Sequence, residues 1–388
     1  MADVLHRHGD AYRLAHAGHL GRAERRVMGA IAACRTAALG GHVEACDDCG
    51  LTRVAYNSCR NRHCPKCQGA ARAQWLAARR AELLPVPYFH VVFTLPAPIA
   101  AIAFQNKALI YAILFAASAE AMTTLAANPR RLGGLAVLHT WGQTLTHHPH
   151  VHCIVPGGGL SPDRTRWVAG RPNFFLAVKP LARLFRRLFL ERLQHAFDAG
   201  ALRFFSDQAG LAEPVRFDAL MTDLRAAAWV VYAKKPFGGP AQALAYLGRY
   251  THRVAIANSR LVAIEDDHVA FTWKDYRQDG AVKVMKLAPD EFIRRFLLHT
   301  LPDRFHRIRY FGFLANTCRA ANLALCRSAL AQQMDRCETA TADTATSRAN
   351  VHVPACPECG GVMRVLATLS RGADRSRPAT APFQCDTS

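Results

Sequence analysis

Apolar and polar positions alternate along this chain with two periods, and the switches between them mark out its elements. Residues 88–95, Tyr-Phe-His-Val-Val-Phe-Thr-Leu, are aromatic or β-branched almost throughout and stop at Pro96, which predicts a strand. The next apolar run, 99–127, is broken by Gln105, Asn106, Lys107 and Glu120, so it predicts a long buried helix rather than a membrane span. Residues 135–141 predict a second strand and 147–155 a third, ended by Pro156 and three glycines. A helix is predicted over 179–197, with Arg183, Arg186, Arg187 and Arg192 on its wet side. Residues 226–233 read as a strand, and 253–257, 260–264 and 269–273 as a meander of short strands. Residues 289–301 predict an amphipathic helix that stops before Pro302.

Upstream, the pattern gives a basic helix over 22–36 halted by Gly40 and Gly41, a strand over 52–56, and a helix over 68–84. The last turns Trp75, Leu76 and Leu83 inward and Arg72, Arg79 and Arg80 outward, and Pro85 and Pro87 follow as a linker. Strands interleaved with long helices but joined partly by hairpins indicate an α+β fold with an antiparallel sheet. The boundaries expected are 1–84, 85–310 and 311–388.

Charge narrows the partners. Against 49 lysines and arginines stand 29 acidic residues, a net charge of +20, which favours a polyanion, nucleic acid before anionic membrane. The polar, His- and Arg-rich first fifty residues do not resemble a signal peptide, so a cytoplasmic protein is expected. The 13 cysteines then suggest metal ligation rather than disulfides. Cys46 and Cys49, then Cys64 and Cys67, form two CxxC knuckles around a strand, the spacing of a zinc ribbon with one four-thiolate site. So few large apolar residues surround them that zinc, with about 10–16 kcal/mol of binding free energy, is the expected source of stability. Cys34, His42, Cys59 and His63 are left as possible extra ligands. Arg60, Arg62 and Lys66 lie on the same loop, where they could hold phosphates. Near the end, a Thr/Ala/Ser-rich linker (339–350) precedes a third knuckle, Cys356 and Cys359. Only His352 and Cys385 lie near it, so it reads as a half-site before a disordered tail, 371–388.

The chemistry concentrates in two stretches. Four histidines occupy six positions in His147-His148-Pro149-His150-Val151-His152. On a strand, His148, His150 and His152 share one face while Val151 and Cys153 turn toward a core; a row of neutral imidazoles suits a divalent transition metal. The second stretch, 240–253, predicts a helix with Pro240 in its first turn, Tyr246 and Tyr250 on one face, and Arg249 and Arg253 beside them. With a pKa near 10 a tyrosine is a weak nucleophile. It needs a base, or a phosphate activated by a metal ion and cations. The CxxC pairs alone would equally suit a non-catalytic zinc-ribbon regulator that binds DNA.

Taken in order, Phe93-Thr94-Leu95-Pro96, His150-Val151-His152 and the tyrosine helix resemble the motifs of the HUH (His-hydrophobic-His) endonuclease superfamily. More narrowly, the chain resembles the two-tyrosine rolling-circle insertion-sequence transposases. Residues 59–67, 148–159, 246–259 and 292–306 carry that likeness. The resemblance implies a ferredoxin-like antiparallel sheet with both histidines on a central strand, and a zinc-binding N-terminal domain. It implies Mg²⁺ or Mn²⁺ held by His150 and His152, with His148 or Gln143 as candidate third ligand. Tyr250, or Tyr246, would attack single-stranded element DNA to give a 5′-phosphotyrosine and a free 3′-OH, with no nucleotide cofactor. Trp141, Arg249, Arg253 and the arginines of 183–187 would stack on bases or hold phosphates. A replication initiator or relaxase of the same superfamily would use the same chemistry.

Overall fold

The computed structural model describes residues 1–126, 131–234, 237, 239, 242–243, 245–246, 248, 254–335 and 355–372. The chain divides into two compact units, Gln68–Ala340 and a unit made of both ends, Met1–Cys67 with Thr341–Ser388. The division differs from the three successive domains expected from sequence, because the C-terminal knuckle folds with the N-terminal segment.

In the unit formed by the two ends, helices Ala2–Ala15 and Arg22–Ala32 precede a three-stranded antiparallel sheet ordered Met363–Leu369, Gly41–Cys46, Thr52–Tyr56. The second helix stops four residues before the expected end, at Ala32, because Arg35 takes a left-handed backbone (φ 59°) and donates its N–H to the Asn57 carbonyl at 3.1 Å.

The larger unit is built on a five-stranded antiparallel sheet, ordered Ile308–Gly312, Gly133–Trp141, His147–Pro156, Tyr88–Thr94, Val231–Lys234. The fold is α+β, and the histidine strand is central. Period-two alternation assigns its faces. Phe89, Val91, Phe93, Leu138, Val151, Cys153 and Val155 all point to one side, where they are fully or almost fully buried. There they meet the helices Ala97–Gln105, Lys107–Leu125 and Val178–Asp198. The helix Lys107–Leu125 is long and apolar enough to cross a membrane; Tyr111, Leu114, Ala117 and Met122 are nevertheless buried in this core. The long apolar helix expected over 99–127 is two helices. Asn106 breaks it, its side chain accepting from the Arg203 N–H and donating to the Arg203 carbonyl, both at 2.8 Å. Phe185, fully buried, packs at an angle against Phe93 (4.9 Å between centroids) and edge-on against Trp229 (5.4 Å). Phe185→Ala is therefore expected to cost about 3–5 kcal/mol of stability in a denaturant titration; a loss under 1 kcal/mol would contradict this packing.

Two strand expectations change. Residues 254–257 are not a strand; the meander is Leu261–Ile264, Val269–Asp275 and Ala281–Leu287. Only the end of 226–233 is a strand, since the helix Pro214–Ala226 occupies its start. The linker 339–350 and residues 373–388 of the tail lie outside the described residues.

Candidate active site and metal centres

The second face of the sheet carries the polar chemistry. His150 stands directly across from His139 on the neighbouring strand, and His152 across from Val137. Cross-strand partners share a face, so His139, His150 and His152 converge, each with a ring nitrogen within 4.8 Å of the others. His139 is 3% exposed and stacks flat on Trp141 (4.8 Å, 16°). The third member of the group is thus His139, not His148. His148 is exposed and its carbonyl accepts from His150 Nδ1 at 2.7 Å. Gln143 is engaged elsewhere: its amide donates to the Tyr276 hydroxyl and its Oε1 accepts from the Lys274 N–H. His147 faces away, donating from Nδ1 to the Ala100 carbonyl and accepting from Tyr111 Oη.

Hydrogen bonds decide which nitrogens are available. His150 Nδ1 is committed to the His148 carbonyl, leaving Nε2 as its lone-pair donor. His152 Nδ1 lies 2.8 Å from His90 Nε2, so Nε2 is the nitrogen that His152 can bring to the cluster. Burial pushes the pKa of His150 down to about 4. Burial, then Lys234 and His150, does the same for His90. Three imidazoles, each bringing a ring nitrogen to one spot on the sheet face, fit a divalent cation.

His90 joins this cluster to the tyrosine helix. It is 2% exposed, stacked parallel to His152, and its Nδ1 lies 3.1 Å from the Tyr246 hydroxyl. Tyr246 is placed by Phe237 (4.9 Å between rings) and by Ala243, which is buried against the same apolar cluster. Gly248 continues the packing: a Cβ there would come within 2.6 Å of the Leu76 side chain. Tyr250, Arg249 and Arg253 lie outside the described residues.

Among the described residues eight cysteines form two groups, and neither is the one expected. Cys64 and Cys67 gather with Cys34 and Cys59, whereas Cys46 and Cys49 gather with Cys356 and Cys359. The sequence pairing of Cys46/Cys49 with Cys64/Cys67 fails because the strand Gly41–Cys46 pairs with the C-terminal strand and carries the first knuckle to the third. His63 belongs to neither group, and His42 instead meets Glu44 at 2.7 Å. In the first group Cys67 lies 3.5 Å from Cys34 and 3.6 Å from Cys59, sulfur to sulfur. With zinc–sulfur bonds of about 2.3 Å, tetrahedral corners stand about 3.8 Å apart. The four thiols therefore fit zinc, and the spacing is far too long for disulfides. Arg60 and Lys66 are exposed on the segment that carries these ligands, and Arg62 is half-buried.

Residues 133–321 match the model of a family described as "Putative transposase", and residues 4–95 that of a "Transposase zinc-binding domain". Over 334 residues the chain is 63% identical to "Putative transposase y4qJ" of Sinorhizobium fredii, covering 85% of this chain and 84% of that one. It is 29% identical over 300 residues to "Transposase for insertion sequence element IS801" of Pseudomonas savastanoi pv. phaseolicola, covering 73% and 68%. The chain belongs to this transposase family. No solved structure matches it.

In this transposase the histidine cluster opens into a cleft of about 620 Å³. Trp141, Trp273 and Tyr276 line it together with Arg260, Lys274 and Arg277. Tyr276 is 72% exposed at the lip. Arg260 is pinned by the Thr272 carbonyl at 2.7 Å and the Gln143 carbonyl at 2.5 Å. Flat rings interleaved with cations are what unpaired bases and their phosphates require. Of these residues only Trp141 is a candidate from the sequence; the others come from a meander and a turn with no motif of their own. Arg183, Arg186 and Arg187 line a separate cleft with His195 and Arg225.

Proposed function

We propose that this transposase cuts and rejoins single-stranded ends of its element through a 5′-phosphotyrosine, as in rolling-circle transposition on DNA in the bacterial cytoplasm. One observation carries the reading: a continuous hydrogen-bonded row, Tyr246–His90–His152, links a tyrosine hydroxyl to a three-histidine cluster at the head of a cationic, aromatic cleft. His139, His150 and His152 would hold the Mg²⁺ or Mn²⁺. When bound there, the cation would withdraw charge from the scissile phosphate.

The residues themselves supply the rest. Trp141, Trp273 and Tyr276 stack unpaired bases, which requires single-stranded or melted DNA, while Arg260 and Lys274 hold the backbone. The Tyr246 oxygen attacks phosphorus in line; the Tyr O–P bond forms, the P–O3′ bond breaks, and the phenolic proton ends on the released 3′-oxygen. His90 positions that oxygen. Because His152 uses Nε2 toward the cluster, its Nδ1–H donates to His90 Nε2, and His90 Nδ1–H then donates to Tyr246 Oη. A hydrogen bond received by the phenol oxygen favours the phenolate that attacks. Tyr246 is accordingly the first nucleophile in this reading. Tyr250 would serve the second transfer, with Arg249 and Arg253 beside it on the DNA. Within the zinc-binding domain, Cys34, Cys59, Cys64 and Cys67 hold a structural zinc, with Arg60, Arg62 and Lys66 on phosphates.

His90→Ala is expected to slow covalent attachment to single-stranded DNA about 10–100-fold while leaving DNA affinity unchanged, the usual cost of losing a partner behind a metal ligand. His90→Gln, which keeps a donor, should recover part of the rate. An unaltered attachment rate in His90→Ala would remove His90 from the mechanism.

A further inference from the structure

We propose that Cys46, Cys49, Cys356 and Cys359 form a second zinc site, which ties the C-terminal end of the chain into its N-terminal zinc-binding module. The site does not depend on the tyrosine chemistry above, and Cys356 and Cys359 lie beyond both of the family matches.

Three separate features support it. The first is sulfur geometry. Cys46 Sγ lies 3.4 Å from Cys359 Sγ, and Cys49 Sγ lies 3.6 Å from Cys356 Sγ. All four fall within 4.8 Å of one another. That is the spacing of tetrahedral thiolate ligands around zinc.

The second is that the same knuckle is built twice. Cys46-Asp47-Asp48-Cys49-Gly50 and Cys356-Pro357-Glu358-Cys359-Gly360 share the CxxCG pattern. In each, the glycine N–H returns to the carbonyl of the first cysteine, at 3.1 Å for Gly50 and 2.9 Å for Gly360. Both glycines have positive φ, 69° and 79°, a conformation in which a side chain would be strained. Each turn thereby presents two thiols on one side. Backbone N–H groups can also stabilise the thiolates, as the Gly361 N–H does at Cys359 Sγ (3.4 Å).

The third feature is the strand that holds the two knuckles together. Met363–Leu369 pairs with Gly41–Cys46 in a register that sets Met363 opposite Cys46. Met363 is buried with Cys46 and Cys356. The Asp47 N–H donates to the Val362 carbonyl at 3.1 Å, and Arg364 meets Asp47 at 3.2 Å. Closing a loop of this length, Cys49 and Cys356 being 307 positions apart, removes much freedom from the unfolded chain. A half-site at the end of the chain is thus completed by a knuckle at its beginning.

The test is zinc content of the purified full-length protein by plasma mass spectrometry. Wild type is expected to carry two zinc ions per chain. Cys356→Ser with Cys359→Ser should carry one, as should Cys46→Ser with Cys49→Ser. All four together should still carry one, because they empty the same site. A zinc content equal to that of wild type in the Cys356→Ser, Cys359→Ser protein would overturn the proposal. Alkylation footprinting of wild type covers the case in which variants fail to fold. In the zinc-loaded protein the four thiols should react at least about tenfold slower than after chelation, and become reactive together. Cys356 and Cys359 reacting at the free-thiol rate beside bound zinc, or being found in disulfides, would equally overturn it.

Discussion

His139→Ala is expected to weaken Mn²⁺ binding to the full-length protein by at least about 100-fold, the upper end of what loss of a mere supporting partner costs a metal site. His150→Ala and His152→Ala should do the same, and the three losses should not add, since each breaks one cluster. His148→Ala should stay within about threefold of wild type, because its exposed ring only lies tilted beside that of His150 (5.3 Å between centroids) and is not part of the three-histidine group. Calorimetric titration of Mn²⁺ into each variant separates these outcomes. If His148→Ala lost binding while His139→Ala kept it, the third position would have to be reassigned. Cleavage should fall in parallel by on the order of 10²–10³-fold, the equivalent of a few kcal/mol of lost charge stabilisation.

The second large effect concerns the tyrosines. Tyr246→Phe keeps the ring that packs on Phe237 and His90 but removes the hydroxyl that meets His90. It is expected to abolish first-strand attachment, because no other group in the proposed mechanism supplies the attacking oxygen. Tyr250→Phe should still form the first adduct yet fail to complete transfer to a second strand. Quantifying both the protein–DNA adduct and the joined product in gels distinguishes the two. An adduct of normal yield in Tyr246→Phe, absent in Tyr250→Phe, would exchange the two roles.

Much of this site was legible in the sequence because it depends on alternation. His150 and His152 share a face with a core partner between them, and that follows from period two alone. The motif order then pointed to the family. His139 was not legible, because it lies in an apolar strand whose register with the histidine strand is a tertiary fact. His90 was hidden in the same way: within Tyr-Phe-His-Val-Val it reads as one polar residue in a strand, and only the sheet order brings it beside His152. The cysteine pairing failed for a different reason. Adjacent CxxC knuckles invite closure with each other, but the C-terminal strand pairs along Gly41–Cys46 and brings the third knuckle to the first. The Cys34 and Cys59 thiols, read as extras, complete the first group. Helix breaks such as Asn106 depend on a distant carbonyl at Arg203 and carry no local signal.

The central claim is a tyrosine–DNA bond made next to the histidine cluster. It is tested most directly by incubating full-length protein with Mn²⁺ and labelled single-stranded element ends, then mapping the linked peptide by mass spectrometry. The account predicts a nucleotide attached through its 5′-phosphate to Tyr246, dependent on the added metal. Cleaved DNA with no covalent peptide, or a link to a residue outside the tyrosine helix, would contradict it.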